Sequence, residues 1–392
     1  MNIKDFFKPY TDDIGTNGRL DVLDGVRALF VFIVAWYHIW QQSWLSPSVT
    51  LFGNYISLDF LPRSGYMFVD GMLLLSGLLL YYPLTDESRQ FDTLAFYKKR
   101  LVRILPSYLL CILIMLLFSA LPNKQYTSFA AGLKDVLAHL TFTHTFFSFS
   151  YLSTPLNGAL WTLAIEMQFY LLFPLLAKAF KNHPVITFAI MTAIAFVYRA
   201  YVADFEDTAM YINQLPAFLD VYAIGFVAAK TIALFKNRMQ GESRTEKLLF
   251  SVIAVLSCVL LVQLLQTQAG NPDYASIRLG QLINRFPLAV LLAIFMVCLC
   301  FSLPTLRFLF GNRLMRFFSA ISFQYYIWHQ VFAVRVKEWG LISAESPEPW
   351  RYGERAWQIP YMAVCFFGAL LIAVLVTYLF ERPLAKRLSA KR

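Results

Sequence analysis

The sequence predicts an all-α, polytopic integral membrane protein with about ten transmembrane helices. Of its 392 residues, 58% are hydrophobic and only 15% are charged, whereas soluble domains are about 45–50% apolar and about 25% charged. Ten apolar runs of about 20 residues, the length that crosses a bilayer as a helix, follow one another along the chain. They cover roughly 24–43, 65–82, 103–121, 158–178, 184–203, 214–233, 247–267, 284–303, 317–337 and 358–380.

The predicted spans leave no polar stretch long enough to form a soluble domain, so we expect one membrane domain over residues 1–392 with no appended soluble domain. The first apolar run has no small-residue cleavage site after it, which favours a retained span over a signal peptide. The segment 122–157 is too apolar for a solvated loop, and we expect it to lie at the membrane interface or to fold back into the protein.

Lysine and arginine set the predicted orientation. With ten spans and a cytoplasmic N-terminus, 24 of the 34 basic residues fall on the cytoplasmic side, which is the bias of membrane proteins. Both termini are therefore predicted to be cytoplasmic. The same bias accounts for the net charge of +10 without a nucleic-acid partner. The five cysteines lie in apolar runs and lack the spacing of a metal or disulfide site.

Two ionisable residues occupy the first span. Arg27 and His38 are separated by about 16 Å along a helix and by only about 20° around it. One helix face thus offers a cation for an anionic ligand and, nearer the outer side, a titratable base. The alternatives are an arginine that snorkels to the headgroups and a histidine buried against a neighbouring helix.

Basic residues crowd the start of the third span in "FYKKRLVRILPSY". Arg100 and Arg103 are spaced i,i+3 and share a helix face, where two guanidinium groups can bind phosphates. Anchoring on anionic lipid headgroups explains the same pattern.

Further ionisable side chains fall in the predicted outer half of other spans. A carboxylate such as Asp70 or Glu166 needs a partner or a chemical role at this depth, and either is a candidate to orient His38. His329 in the ninth span is a candidate substrate-site residue, as is Trp161, which begins the fourth span at the interface. Asp220 has no assigned partner. A metal site built from His38, Asp70, Glu166 and His329 lacks any ligand spacing, and we expect no metal.

Several motifs together resemble the membrane acyltransferase-3 family. They are "LDGVRALFVFIVAWYH", "VDGMLLLSGLLL", "RLVR", "LWTLAIEMQFYLLFPLL", "ISFQYYIWHQ" and "FERP", in that order. The resemblance implies that acetyl-CoA or another acyl-CoA donates an acyl group to a hydroxyl of an extracytoplasmic glycan or glycolipid, in a bacterial inner membrane.

The resemblance also implies roles for individual residues. Arg27, Arg100 and Arg103 would bind the donor phosphates, His38 would be the catalytic histidine, and Glu166 and Trp161 would belong to the site. Because the chain ends at Arg392, we expect any acyl relay to finish within the membrane domain or on a separate protein.

Several alternatives stay open. Direct attack on the thioester and a transient acyl-histidine both fit the residues, as do acetyl, succinyl and longer acyl groups. A transporter or flippase of a glycan or an anionic small molecule is the competing function. The chain lacks the repeated halves and paired Gly/Pro-interrupted spans common in transporters.

Overall fold

The structure is a computed structural model that describes residues 20–238 and 243–390. Within these residues, nine helical stretches are long and apolar enough to cross a membrane. The predicted all-α membrane fold is therefore confirmed. Of the basic residues counted above, five lie outside the described ranges, namely Lys4, Lys8, Arg19, Lys391 and Arg392.

Twelve helices carry labels here, in chain order. They are α1 Asp21–Ser43, α2 Phe68–Tyr81, α3 Thr93–Met115, α4 Phe129–Leu140, α5 Trp161–Asn182, α6 Pro184–Ala203, α7 Leu219–Arg238, α8 Arg244–Ala269, α9 Tyr274–Phe301, α10 Arg313–Glu338, α11 Gln358–Leu375 and α12 Arg382–Ala390. Two π-helical stretches, Leu116–Ala120 and Val376–Glu381, extend α3 and join α11 to α12.

Short elements connect the labelled helices. The strands Ser48–Leu51 and Asn54–Ser57 form an antiparallel hairpin after α1. Short α-helices and 3₁₀-helices of one or two turns are Phe60–Arg63, Gly65–Met67, Tyr82–Thr85, His144–Phe146, Ser148–Tyr151, Gly158–Leu160, Leu215–Phe218, Pro304–Phe310 and Pro349–Tyr352.

The predicted ninth span, 317–337, forms a continuous helix that is more polar than the others. It is α10, 26 residues long, and it is not among the nine stretches that meet the length and apolarity of a span. Gln324, His329 and Gln330 lie within its length, and basic side chains occupy both ends. The mean hydropathy of this segment is low because it carries these amide, imidazole and basic side chains.

Contacts divide the described chain into two compact units, each assembled from separate stretches. The first unit contains residues 20–30, Met67–Leu94 and Ile165–Ala320, without 239–242. The second unit contains Val31–Tyr66, Ala95–Ala164 and residues 321–390. The helices α1, α3, α5 and α10 each begin in one unit and end in the other.

Small residues allow close helix packing in the first unit. A Cβ atom on Gly225 of α7 would lie 2.5 Å from the Leu74 carbonyl oxygen of α2, and one on Gly77 would lie 3.0 Å from the Tyr222 carbonyl oxygen. The two backbones therefore approach as membrane helices do at small-residue interfaces.

Side-chain to backbone hydrogen bonds tie the helices of the second unit together. The Tyr361 hydroxyl of α11 donates to the Ala333 carbonyl of α10 at 2.7 Å. The Gln358 amide donates to the Ser43 carbonyl at the end of α1 at 2.6 Å. These bonds hold the ends of α1, α10 and α11 in register around a small apolar core.

The long segment 122–157 is largely helical and contributes buried polar residues to the second unit. Asp135 and His139 of α4 are fully enclosed, as is His144 in the turn that follows. These buried residues fit the alternative in which the segment folds back into the protein, although Phe129, Leu137 and Phe146 of the same segment are exposed.

Candidate functional site

Two histidines that the sequence singled out lie side by side in the second unit. His38 is on α1 and His329 is on α10, and their ring centroids are 5.2 Å apart. His329 is fully buried, whereas His38 is partly exposed. The structure thus brings together residues from two of the motifs, 291 positions apart in the chain.

The hydrogen bonds of His329 fix its tautomer. Its Nδ1 lies 2.6 Å from the Tyr326 carbonyl and 3.2 Å from the Tyr325 carbonyl. A carbonyl only accepts, so Nδ1 carries the proton and the neutral ring keeps a lone pair on Nε2. This Nε2 is buried and has no hydrogen-bond partner among the described residues. It is an acceptor ready for a hydroxyl.

Gln41 orients the imidazole of His38. Its Oε1 lies 3.0 Å from His38 Nδ1, and its amide nitrogen donates to the Tyr37 hydroxyl at 2.8 Å. The Nδ1 proton of His38 therefore points to Gln41, which leaves the Nε2 lone pair as the base. The sequence interpretation missed Gln41, although its i+3 spacing from His38 places it one turn away on the same helix.

The fourth-span motif is hydrogen-bonded to Tyr326, the residue whose carbonyl binds His329. Trp161 is the first residue of α5 and is half-buried. The next residue, Thr162, donates its hydroxyl to the Tyr326 hydroxyl at 2.9 Å. Tyr326 in turn supplies the carbonyl that binds His329 Nδ1. The "LWT" and "YYIWH" stretches are thus joined by hydrogen bonds.

Arg100 and Arg103 lie one turn apart on α3 of the second unit, as the i,i+3 spacing predicted. The guanidinium of Arg100 lies 5.6 Å from the Phe96 ring centroid. Arg103 is exposed and interacts electrostatically with Glu381 of the "FERP" motif. Glu381 also accepts a hydrogen bond from the Gln324 amide.

In the first unit, Asp70 belongs to a buried cluster of four charges. Arg285 of α9 donates from Nε to Asp70 at 3.2 Å, and Arg199 of α6 makes a two-pronged pair with Asp220 of α7. Both arginines also approach the Ala217 carbonyl. Asp220 thereby gains the partner that the sequence did not assign. The contact of Asp70 or Glu166 with His38 stays a prediction.

Glu166 lies on α5 and binds a residue of the second-span motif. The Ser76 hydroxyl of α2 donates to its carboxylate at 3.0 Å, and the Tyr170 hydroxyl makes a short second hydrogen bond. The "LSG" and "IEMQFY" stretches therefore meet at this carboxylate, which is partly exposed.

Arg27, also in the first unit, pairs with an acidic residue on its own helix. The distance from its guanidinium to the Asp24 carboxylate is 3.8 Å, with 26% of the arginine side chain exposed. Asp24 also accepts a hydrogen bond from Ser319. Arg27 is thus held beside a carboxylate yet remains accessible.

Comparison with known families settles the resemblance seen in the motifs. A sequence model of the family described as an acyltransferase domain, of the acyltransferase-3 type, matches residues 20–380. The chain belongs to the acyltransferase-3 family. The matched range includes the motif residues discussed above except Glu381, which directly follows its end.

This acyltransferase-3 chain is similar to three curated proteins, each over part of its length. O-acetyltransferase OatA of Staphylococcus aureus is 30% identical over 186 residues, covering 45% of this chain and 27% of that protein. Putative peptidoglycan O-acetyltransferase YrhL of Bacillus subtilis is 24% identical over 330 residues, covering 78% and 47%. Peptidoglycan O-acetyltransferase OatA of Listeria monocytogenes is 30% identical over 162 residues, covering 39% and 23%.

The chain therefore matches less than half of the length of each of these relatives. No solved structure matches it.

A second histidine cluster of this acyltransferase-3 chain lies in the segment 122–157. The rings of His139 and His144 stack at 4.2 Å, and His139 Nδ1 lies 3.1 Å from the Asp135 carboxylate. Tyr126 and Thr154 each donate a hydroxyl to that carboxylate at 2.8 Å. Burial, together with the neighbouring His139, lowers the pKa of His144 to about 3. Our sequence interpretation assigned none of these residues.

Proposed function

We propose that this chain transfers an acetyl or another acyl group from acyl-CoA to a hydroxyl of an extracytoplasmic glycan, with peptidoglycan as the acceptor. Membership of the acyltransferase-3 family supports acyl transfer, and the names of the relatives support O-acetylation of peptidoglycan. The observation that carries the chemistry is the base Nε2 of His38, oriented by Gln41 and adjacent to His329.

The proposed reaction is a transfer from sulfur to oxygen. His38 Nε2 takes the proton of the acceptor hydroxyl as its oxygen attacks the thioester carbonyl. The C–S bond then breaks, and the leaving thiolate takes the proton from the imidazolium. The products are the O-acyl ester and free CoA. In the alternative route, Nε2 attacks the thioester carbonyl and the C–S bond breaks to release the CoA thiolate. The acceptor hydroxyl then attacks the acyl-imidazolium, the N–C bond breaks to restore neutral His38, and the hydroxyl proton passes to the thiolate.

His329 is the proposed acceptor-positioning residue. Its Nδ1 proton is committed to a backbone carbonyl, so its Nε2 can only accept a hydrogen bond while the ring is neutral. The reacting hydroxyl of the acceptor glycan, or a hydroxyl next to it, can donate this hydrogen bond. Trp161 is proposed to contact the glycan beside His329. It is the first residue of α5, and the next residue, Thr162, donates a hydrogen bond to Tyr326.

The remaining predicted site residues have proposed roles within their own units. Arg100 and Arg103 would bind donor phosphates in the second unit, and the partly exposed Arg27 would do so in the first. Glu166, held by Ser76 and Tyr170, is proposed to be a site carboxylate, and Asp70, paired with Arg285, is proposed to stabilise the first unit. We further propose that the chain lies in a bacterial inner membrane with both termini in the cytoplasm.

The test is transfer by purified protein in nanodiscs. The protein receives acetyl-CoA labelled in the acetyl group together with soluble peptidoglycan fragments. The proposal expects a labelled, base-labile ester on the glycan and an equal amount of free CoA thiol. The variant His38→Gln should abolish both products, whereas Gln42→Ala, a change on the same helix, should retain them.

Two results would overturn the proposal. One is the absence of ester with acetyl-, succinyl- or longer acyl-CoA when the protein is folded. The other is movement of unmodified glycan across a vesicle membrane, which would favour the transporter. The double variant Arg100→Ala/Arg103→Ala should raise KM for acyl-CoA more than it lowers kcat, with Lys98→Ala/Lys99→Ala as the matched control on the same helix.

A further inference from the structure

A crevice of about 560 Å³ in the second unit lies between the end of α3 and the start of α4. The π-helical stretch Leu116–Ala120 forms one wall, the first two turns of α4 form the other, and the turn between them completes the lining. The volume falls in the range of small-molecule sites, about 300–1,000 Å³. π-Helical segments are rare and frequently lie at functional sites. The crevice is therefore a candidate binding site, and it shares no residue with the histidine site.

The two walls of the crevice are apolar. The π-helical wall contributes Leu116 and Ala120, and α4 contributes Leu133 and Val136. Walls of this kind suit a hydrocarbon ligand, because a sugar or an ion between them would leave its polar groups without hydrogen bonds.

The polar side chains of the lining are engaged elsewhere, with one exception. The Tyr126 hydroxyl donates to the buried Asp135 carboxylate at 2.8 Å, which holds the ring in place. The Ser128 hydroxyl caps α4 by accepting a hydrogen bond from the Ala131 backbone N–H at 3.1 Å. The exception is Lys124, whose ammonium group forms no hydrogen bond or ion pair within the part of the chain that the structure describes. The crevice thus offers one cation beside a hydrocarbon surface.

The turn that carries Lys124 fixes the position of this cation. The φ of Lys124 is 50°, a left-handed conformation that helix-ending turns usually assign to glycine or asparagine. The Lys124 N–H donates to the Leu121 carbonyl at 3.1 Å, and the Gln125 N–H donates to the Ala120 carbonyl at 3.0 Å. The exposed lysine therefore lines the crevice from a backbone that is tied to the π-helical wall.

The crevice is continuous with a surface that suits lipid. The span Thr93–Ala120 exposes Leu117 and Phe118 beside it. Phe129 and Leu133 both line the crevice and are exposed, and they lie four residues apart on one apolar face of α4. A helix with such a face lies in the membrane interface. The lysine and arginine distribution predicts that this end of α3 is extracytoplasmic, so the predicted neighbour of the crevice is the outer leaflet.

We propose that this crevice binds one anionic phospholipid of the outer leaflet. One hydrocarbon chain lies between the π-helical wall and α4, and the phosphate lies at Lys124, in a charge-assisted contact. Lipid is favoured over a second copy of the chain because the crevice continues the lipid-facing surface of a span. The proposal does not depend on the identity of the acyl donor or acceptor.

The proposed lipid stabilises a segment that reaches the histidine site. Asp135, which holds the tyrosine of the crevice, also accepts a hydrogen bond from Thr154 at 2.8 Å. Three residues later, Asn157 donates its amide to the carbonyl of Ile327 on α10 at 2.8 Å, two residues before His329. A ligand that binds only the folded form of this segment stabilises the folded chain.

The test is a lipid titration of the full chain, delipidated in an uncharged detergent and followed by native mass spectrometry. The probes are phosphatidylglycerol and phosphatidylcholine with the same chains. Wild type should bind one phosphatidylglycerol more tightly than any further copy. Leu133→Trp fills the crevice and should weaken this binding about ten-fold or more, the effect of displacing only two methylene groups. Leu137→Trp, one turn later on the same exposed face and outside the lining, should change it by less than about two-fold.

The phosphate contact is tested on exposed lysines, whose substitution leaves the packing of the chain unchanged. Lys124→Gln should weaken the binding of phosphatidylglycerol about five-fold, the effect of one lysine near an anionic surface, and leave that of phosphatidylcholine unchanged. Lys134→Gln, on α4 and outside the lining, is the matched control. Lys124→Arg keeps the charge and should retain binding.

Each contrary outcome overturns the inference in a recognisable way. If the two tryptophan variants bind phosphatidylglycerol equally well, the crevice is not the lipid site. If Lys124→Gln binds it as tightly as wild type does, the phosphate contact is wrong. If delipidated wild type is a dimer that Leu133→Trp dissociates, a second copy of the chain covers the crevice. If wild type retains lipid without a defined first site, only bulk lipid fills the space.

Discussion

The buried charge cluster of the first unit gives the sharpest stability prediction. Asp70 is 2% exposed and Arg285 is fully buried, and their atoms are 3.2 Å apart. The change Asp70→Asn keeps the shape of the side chain but leaves the guanidinium without its carboxylate. Removing one member of a buried ion pair costs about 3–5 kcal/mol.

The surroundings of Arg285 place the expected loss at the low end of that range. Its guanidinium still donates to the Ile212 carbonyl at 2.9 Å and lies 3.9 Å from the Phe218 ring centroid. We therefore expect Asp70→Asn to lower the free energy of unfolding by about 3 kcal/mol. The double variant Asp70→Asn/Arg285→Gln removes both charges and should recover at least half of that loss.

The assay is reversible unfolding in mixed micelles, with the free energy read for wild type, both single variants and the double variant. A coupling energy near zero between the two positions would refute the reasoning. So would a stable Asp70→Asn protein that has lost acyl transfer, because that result would make Asp70 a catalytic residue rather than a support of the fold.

Three further predictions concern other parts of the chain. Gln41→Ala should lower kcat for acyl transfer about two- to five-fold with little change in KM, because His38 loses a partly exposed hydrogen bond of about 0.5–1 kcal/mol; Gln42→Ala is the control. The pKa of His144 is about 3 in the folded chain and about 6.5 in the unfolded chain. Between about pH 3 and about pH 6.5, the unfolded chain therefore binds one proton more at this residue than the folded chain does. Stability should therefore fall with decreasing pH below 6.5, by up to about 1.4 kcal/mol per pH unit, and His144→Phe should flatten this slope in unfolding measurements. Gly225→Leu should destabilise the first unit severely, since its side chain would meet the α2 backbone, and folded yield by size exclusion measures this.

Contrary results would be informative for each. An unchanged kcat in Gln41→Ala would remove Gln41 as the positioning residue of His38. An unaltered pH slope in His144→Phe would mean that the buried histidine does not stay neutral on acidification. Normal folded yield of Gly225→Leu, with Ala233→Leu as a comparison on the same helix, would contradict the close packing of α2 and α7.

The sequence predicted the helices well where an apolar run coincides with the helix. The span predicted at 184–203 is α6, with the same bounds. In contrast, α3 begins at Thr93, ten residues before the predicted 103. Hydropathy marks the part of a helix that suits lipid, and the basic residues that precede it are helical without being apolar.

The sequence predicts which residues belong to the candidate site but not which side chains they contact. His38 and His329 were both named, yet nothing local in the sequence indicates that their rings meet. The partner of Asp70 is 215 positions away, beyond the reach of any spacing rule. The signal that was available was the presence of Arg199 and Arg285 inside apolar runs, since an arginine at such a position calls for a carboxylate.

The four charges of Asp70, Arg199, Asp220 and Arg285 add up to zero, and this has an electrical consequence. A group of zero net charge does no net work against a membrane potential when it shifts as one body, whereas one unbalanced charge is worth up to about 2.3 kcal/mol per 100 mV. The buried cluster of the first unit is therefore nearly insensitive to the membrane potential. Neutralising any one of the four residues would leave one unbalanced charge. The stability of this unit would then depend on the membrane potential.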